Sequence, residues 1–373
     1  MDERALTERL ITYDTSTLEG MQAAAGFVKG WLEARDVEVI GTQHNGRPLL
    51  AATVGPETGP TVVLHGHLDV VPGREEQFEP RIEDDRLYGR GAYDMKGGLA
   101  AMICAFRDMT AQERVRVHFV CVADEESEEI EDRASDWLVK NGYLGDFAIT
   151  GEPTDMHIGI QAKGVLAMRL EVSGTAAHGS TPWVGDNAVL KAIDIFRQIE
   201  SLPFARESSE LFDRPSINLG RIIGGDAMNK VPDLCAIDVD IRYLPGQDHE
   251  EIRAAIETLP DLRVVKVFHR TPVMVPRDDP YVQALGEAIS RVAEPTSERL
   301  GVGRDGASDA ISFLEAGVQA VECGPTGDGH HGPEEWVSIR SLGEYRAALV
   351  EFVNLLPARL AGGGEDDRRL RIA

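Results

Sequence analysis

The sequence predicts an α/β fold, a mostly parallel sheet interrupted by an inserted ferredoxin-like β-α-β-β-α-β unit. Three observations predict it. Short β-rich runs alternate with stretches of helical apolar spacing along most of the chain. Residues 163–272 depart from that rhythm and read strand, helix, strand, strand, helix, strand. Several apolar strands end abruptly in His, Asp or Glu, the rim where open α/β sheets place ligands.

Taken in order, apolar spacing predicts a helix at 21–35, a strand at 61–64, a helix at 97–109 and a strand at 115–122. A helix at 133–141 and a strand at 147–150 follow. The inserted unit then supplies a strand at 165–172, a helix at 187–199, strands at 216–222 and 234–242, a helix at 249–257 and a strand at 264–269. At about 110 residues it is large enough to fold as a domain. The α/β rhythm returns from 273, with a helix at 307–316 and a strand at 318–323. The domain boundaries are therefore 1–162 with 273–361 for a discontinuous first domain, and 163–272 for the insert. A tail at 362–373, Gly-Gly-Gly followed by charges, is expected to be disordered.

Composition narrows the function classes. The 373 residues are 42% apolar and 27% charged, a globular balance. A net charge of −25 repels phosphate backbones and anionic lipid heads, so neither nucleic acid nor membrane is an expected partner. No run approaches 18 apolar residues, and Met1-Asp2-Glu3-Arg4 lacks the basic flank and apolar stretch of a secretory signal. Cys104, Cys121, Cys235 and Cys323 are far apart within apolar runs and read as buried free thiols. A reducing, cytoplasmic location fits them.

The chemistry gathers at the strand ends. The first strand runs into His65-Gly66-His67-Leu68-Asp69, and in extended backbone His67 and Asp69 point the same way. A carboxylate that orients a ligand histidine is common behind zinc. His65 reads as a core histidine. Other strands run into Asp124-Glu125-Glu126, into Gly151-Glu152 and into a Gly-rich loop with His330-His331. Asp94 lies between a Gly-rich turn and a helix start. Converging acids repel one another, and a pair of dications resolves that repulsion. Carboxylate and imidazole without thiolate suit zinc, cobalt or manganese. Glu128, Glu129, Glu131 and Asp132 read as a solvated face.

These residues, with HGHLDVVP (65–72), GRGAYDMKGG (89–98), ADEE (123–126), GEP (151–153), KG (163–164), GTAAHGSTPWVGDNA (174–188), GGDAMNKVPD (224–233), DIRYLPG (240–246), GASDA (306–310) and His331-x-x-x-Glu335, carry a resemblance. The chain resembles the di-zinc metallohydrolase family of acetylornithine deacetylase, succinyl-diaminopimelate desuccinylase, aminoacylase and glutamate carboxypeptidase, with the motifs in family order. The resemblance implies that His67 and Glu152 hold one metal, Glu126 and His331 the other, and that Asp94 bridges both. It implies Glu125 as general base and Asp69 behind His67, with a cis peptide at Asp94–Met95. His178 matches a histidine that stabilises the oxyanion, often from the partner subunit of a dimer. Asn229 and Arg242 match residues that grip the substrate carboxylate. Arg304 and Lys230 are further candidates for an anionic group. His330 beside His331 leaves a one-residue ambiguity, and the spacing to Glu335 favours His331.

The implied function is hydrolysis of the amide bond of an N-acyl amino acid by a metal-activated water, in a homodimer formed through the inserted domain. A dipeptidase or carboxypeptidase acting on a short peptide is the alternative. A non-catalytic binding protein fits less well, because no ligand position is missing.

Overall fold

The structure is a computed structural model and describes residues 1–127, 132–293, 300–306 and 308–361. The tail from 362, the acids Glu128, Glu129 and Glu131, and Ala307 of the 307–316 stretch lie outside the described residues. The chain forms two compact units. One comprises Met1–Ile160, Val275–Val302 and Ser308–Ala373; the other comprises Gln161–Met274 and Gly303–Ala307.

The chain opens with helices α1 (Glu3–Ile11) and α2 (Leu18–Glu33), then strands β1 (Val39–His44), β2 (Arg47–Val54) and β3 (Thr61–His67). Short strands β4 (Arg81–Glu83) and β5 (Arg86–Tyr88) precede α3 (Gly97–Asp108), β6 (Arg116–Val122), α4 (Ala134–Lys140) and β7 (Phe147–Thr150). Strand β8 (Ile158–Ala162) carries the chain into the second unit. That unit contains β9 (Gly164–Ser173), α5 (Ala188–Ile199), β10 (Ser216–Gly224), β11 (Leu234–Tyr243), α6 (His249–Glu257) and β12 (Leu262–Arg270). After β13 (Val273–Met274) come α7 (Pro280–Val292), β14 (Gly301–Arg304), α8 (Ala310–Glu315), β15 (Gln319–Glu322), β16 (Gly327–Asp328), β17 (Trp336–Ser338) and α9 (Ile339–Ala361).

In the first unit the main sheet runs β1-β2-β6-β3-β7-β15. Strand β3 pairs in parallel with both β6 and β7, and β15 pairs in parallel with β7. This is the mostly parallel sheet that the alternating pattern predicts. Its strands are apolar because both faces are covered: every residue of β7 is buried, as is α3 from Gly97 to Phe106. Toward both edges the pairing turns antiparallel, β2 against β6 on one side and β8 against β15 on the other. Asn45 and Gly46, at φ 48° and 78°, close a two-residue turn that sets His44 against Arg47 and folds β1 onto β2. Positive φ at both positions is what such a hairpin requires. Helix starts follow side-chain capping: Asp2 accepts from the Ala5 N–H, Thr17 from Gly20, and Asp279 from Tyr281 ahead of Pro280. A smaller sheet in the same unit runs β16-β17-β5-β4.

The second unit has strand order β10-β11-β9-β12, with every neighbouring pair antiparallel. This is the split β-α-β topology predicted for the insert. Burial alternates along β9 and β11. Leu166, Met168, Leu170, Ile237 and Ile241 face a core shared with Ile195 and Ile199 of α5 and with Ile252 and Ile256 of α6. On the other face, Arg169 and Asp238 sit opposite each other and bond at 2.8 and 3.0 Å. All four cysteines are buried and unpaired. Among the described residues no helix is long and apolar enough to cross a membrane.

The ring of Tyr243 lies over Gly164, where an added Cβ would come within 2.2 Å of the ring. Gly164→Ala should therefore destabilise the second unit by about 1–3 kcal/mol through overpacking. Urea unfolding followed by tryptophan fluorescence and circular dichroism checks this, and an unchanged midpoint would contradict it.

Candidate active site

The apolar run predicts that β3 ends at Leu64, but the strand continues through His67. His65, Gly66 and His67 pair with Val120, Cys121 and Val122 of β6, and a backbone ladder is indifferent to side-chain polarity. Gly66, between the two imidazoles, lets Met95 pack closely, since a Cβ there would come within 2.7 Å of the end of that side chain and force it to shift. His65 is a core residue, as its sequence context implied. Its Nε2 lies 2.8 Å from Ser135 Oγ, which donates to Asp309 at 2.6 Å. Burial lowers its pKa to about 4, so it stays neutral.

His67, at the sheet's carboxyl edge, is fully enclosed. Its Nδ1 lies 3.0 Å from the backbone carbonyl of Asp69 and 3.6 Å from that residue's carboxylate. The carbonyl is thus the nearer partner, because the Asp69 carboxylate also accepts the Glu126 N–H at 3.0 Å. Asp69 in this way joins His67 to the loop that carries Glu126. Burial disfavours the His67 imidazolium, but the Asp69 and Asp94 carboxylates raise its pKa well above the usual value.

Two carboxylates face His67 Nε2, and a second imidazole with its own glutamate lies against the far side of one of them. Asp94 Oδ1 is 3.3 Å from it and Glu152 Oε1 is 3.8 Å. The other oxygen of Asp94 faces His331 Nε2 at 3.5 Å, and Glu126 Oε1 lies 3.0 Å from that same nitrogen. The Asp94 carboxylate is therefore divided between two imidazoles, each with its own glutamate. Against the effect of burial, hydrogen bonds with His331 and His67 hold the Asp94 pKa low. Asp94 and Glu126 raise that of His331 to about 10. The Asp94–Met95 peptide is cis. His330 stacks edge-on against Tyr93 instead of joining the cluster.

Glu125 is half-buried beside these groups. Burial raises its pKa well above the usual carboxylate range, and Asp309, Glu126 and Asp94 add to the effect while His67 opposes it. Arg133, which the sequence did not mark, donates to the backbone carbonyls of Asp124 and Glu125 at 2.5 and 2.6 Å. It sits in an acidic stretch with no periodic signal, so only the fold reveals the contact.

The donors suit divalent cations. His67, Asp94 and Glu126 offer ligand atoms that all lie within 4.8 Å of one another. Glu152 Oε1 and Asp69 Oδ1 are buried without a hydrogen-bond partner. Buried oxygens left unsatisfied among clustered acids are costly unless a positive charge completes them.

The other candidates lie in the second unit. His178 is exposed, and its Nδ1 accepts the Ser180 N–H at 3.1 Å. Its segment pairs by backbone with that of Asn229, the Gly179 N–H donating to the Asn229 carbonyl at 2.6 Å. Arg242, on β11, donates through Nε to Asp240 at 3.0 Å. Lys230 is held by Asp226 and Asp233 at 2.9 and 3.1 Å. The Arg304 carbonyl accepts the Lys163 N–H at 3.1 Å.

A profile of the family described as "Peptidase family M20/M25/M40" matches residues 63–355. Acetylornithine deacetylase of Proteus mirabilis is 30% identical, over 93% of this chain and 93% of that protein. Succinyl-diaminopimelate desuccinylase of Xanthomonas oryzae pv. oryzae is 28% identical, over 87% and 88%. Among solved structures, aminopeptidase PepT from Bacillus cereus superposes with a TM-score of 0.77 at 19% identity, covering 95% of this chain and 98% of that one. An M20 family metallo-carboxypeptidase from Sulfolobus solfataricus gives 0.76 at 20%, covering 96% and 100%. At such identities the likeness is one of fold.

Without a metal, His331 keeps its proton up to about pH 10, so ligation must displace it. Apparent zinc affinity should therefore rise with pH between about 6 and 8, by roughly tenfold per unit for each proton displaced. Competition titrations against a chromophoric chelator at three pH values measure the slope, and a flat profile would exclude His331 as a ligand.

Proposed function

The chain belongs to peptidase family M20/M25/M40, hydrolases of amide or peptide bonds, and on that premise we propose that it removes the acyl group from an N-acyl amino acid. The observation that carries the reading is the division of Asp94 between His67, with Glu152, and His331, with Glu126. These pairs would hold two divalent cations, zinc in the simplest case and cobalt or manganese otherwise, with Asp94 common to both. Bound there, the ions supply Lewis acidity to the scissile carbonyl and acidify the attacking water.

The chain's own residues do the rest. The Glu125 carboxylate takes the proton from the water as its oxygen attacks the carbonyl carbon. Burial supports this role by lifting the Glu125 pKa above the usual carboxylate range, which makes its carboxylate the stronger base. When the C–N bond breaks, the same proton passes to the leaving nitrogen, giving a free amine and a carboxylic acid, which then loses its proton to the amine or to solvent. Arg133 holds the Glu125 backbone. Asp69 orients His67 and ties it to the Glu126 loop.

The second unit, read as lid and dimerisation domain, would supply His178 to the oxyanion. Because its Nδ1 accepts from Ser180, the neutral ring carries its proton on Nε2, the donor that role needs. Asn229 and Arg242 would bind the substrate carboxylate, a guanidinium being suited to that planar group. Edge strand β10 supports a homodimer: β11 lies on one side, the other is unpaired among the described residues, and Ile222 and Ile223 are exposed nearby. The deacetylase and desuccinylase relatives favour an acylated amino acid over a peptide. Lys230 is already ion-paired and provides no argument for a second anionic group on the substrate. The buried free thiols suit a cytoplasmic setting.

Glu125→Gln should lower kcat by about 10²–10⁴-fold while zinc content stays at the wild-type level. Steady-state kinetics with metal analysis tests it, and retained turnover would remove Glu125 as the base. The zinc-loaded enzyme should hydrolyse N-acetyl or N-succinyl amino acids faster than dipeptides in a parallel screen; the reverse order would make it a peptidase. His178→Ala should cut kcat by about 10²–10³-fold without loss of metal, as expected for an oxyanion donor.

A further inference from the structure

Glu335 closes the loop between β16 and β17, four residues after His331, and only 2% of it is exposed. Its two carboxylate oxygens receive four donors. Oε1 accepts the backbone N–H groups of Tyr93 and Asp94, both at 3.0 Å. Oε2 accepts the Gly91 N–H at 3.0 Å and Arg90 Nη1 at 2.9 Å. The turn 90–94 therefore presents three N–H groups in one direction, with Gly91 in the left-handed region at φ 79°. Such a nest is a ready-made anion site, and here the chain fills it with its own carboxylate.

The same pair also reaches the backbone of the loop that carries His331. Arg90 is buried, and its Nη2 donates to the His331 carbonyl at 3.3 Å. The Gly89 N–H donates to the Glu335 carbonyl at 3.0 Å, and Gln77 Nε2 to the Gly332 carbonyl at 3.1 Å. The turn that presents Asp94 and the loop that presents His331 are thus bound into one body, with a buried ion pair as the fastener. Burial favours the neutral acid at Glu335, and the Arg90 guanidinium is the counter-charge that opposes it.

We propose that Glu335, with Arg90 as its counter-ion, is a positioning residue. It holds the Asp94 backbone so that the two carboxylate oxygens face His67 and His331 together. Nothing assigned above requires this of Glu335, and the inference rests on the metal-binding reading. A neutral amide in its place would turn an NH₂ group towards N–H donors, freeing one side of the turn and loosening Asp94.

Glu335→Gln tests the proposal, with zinc affinity from chelator competition, the visible spectrum of the cobalt-substituted protein and steady-state kinetics as readouts. For a variant that folds by circular dichroism, we expect at least about tenfold weaker zinc binding, an altered cobalt spectrum and kcat down about tenfold with KM within about threefold. A variant that is less stable but keeps wild-type zinc affinity and cobalt spectrum would make Glu335 merely structural and overturn the proposal. If Glu335→Gln does not fold, Glu335→Asp is measured instead: it keeps the charge but is too short to serve both sides of the turn. Threefold or greater loss of zinc affinity supports positioning; wild-type affinity overturns it. A wild-type protein that takes up no zinc would sink the metal reading itself, a result distinct from both.

Discussion

The site depends on one carboxylate shared between two imidazoles. Asp94 directs Oδ1 to His67 and Oδ2 to His331, and each imidazole has a further glutamate against it. Five ionisable groups so close together are tolerable only if opposite charges alternate or cations join them. In the protein alone, protons on the imidazoles provide that balance, which is why both histidines have raised pKa values and Asp94 a lowered one. The same balance would let dications take the place of those protons under the proposed metal-binding reading.

The scaffold makes this possible by bringing segments that are distant in sequence to one edge. Parallel strands β3, β6 and β7 end together, so His67, the Asp124-Glu125-Glu126 turn and Glu152 emerge side by side. The second, smaller sheet is less obvious. Pairing β17 with β5 sets Trp336 against Tyr88, which lays the His331 loop along the turn that carries Asp94. Glu335 and Arg90 sit at that junction. The cluster thus stands on two sheets, and its two imidazoles come from different ones.

The second unit solves a separate problem. Its antiparallel sheet has helices on one face only, with cross-strand polar pairs such as Arg169 with Asp238 on the other. His178 and Asn229 lie on backbone-paired segments beside it. These loops belong to a small unit that packs around its own apolar core.

The amino-acid sequence by itself determined the alternation of elements, the split β-α-β insert and the types of residue at the strand ends. Those features are local: apolar periodicity and turn residues act over a few positions, and His, Asp and Glu at a strand end are visible without knowing what they meet. The spacing to Glu335 already favoured His331 over His330, whereas only the tertiary structure decided that β3 runs on to His67 and that the Asp69 carbonyl outranks its carboxylate as partner to His67. The same holds for Arg133 beneath Glu125 and for Glu335 within the turn 90–94. Some of these contacts join residues far apart in the chain, 245 positions for Arg90 and Glu335, and others, such as His67 with the Asp69 carbonyl and Arg133 with Glu125, are close in sequence but set by the way the loops pack. Periodicity carries no information about such contacts, because a buried partner is chosen by packing, after the local elements have formed.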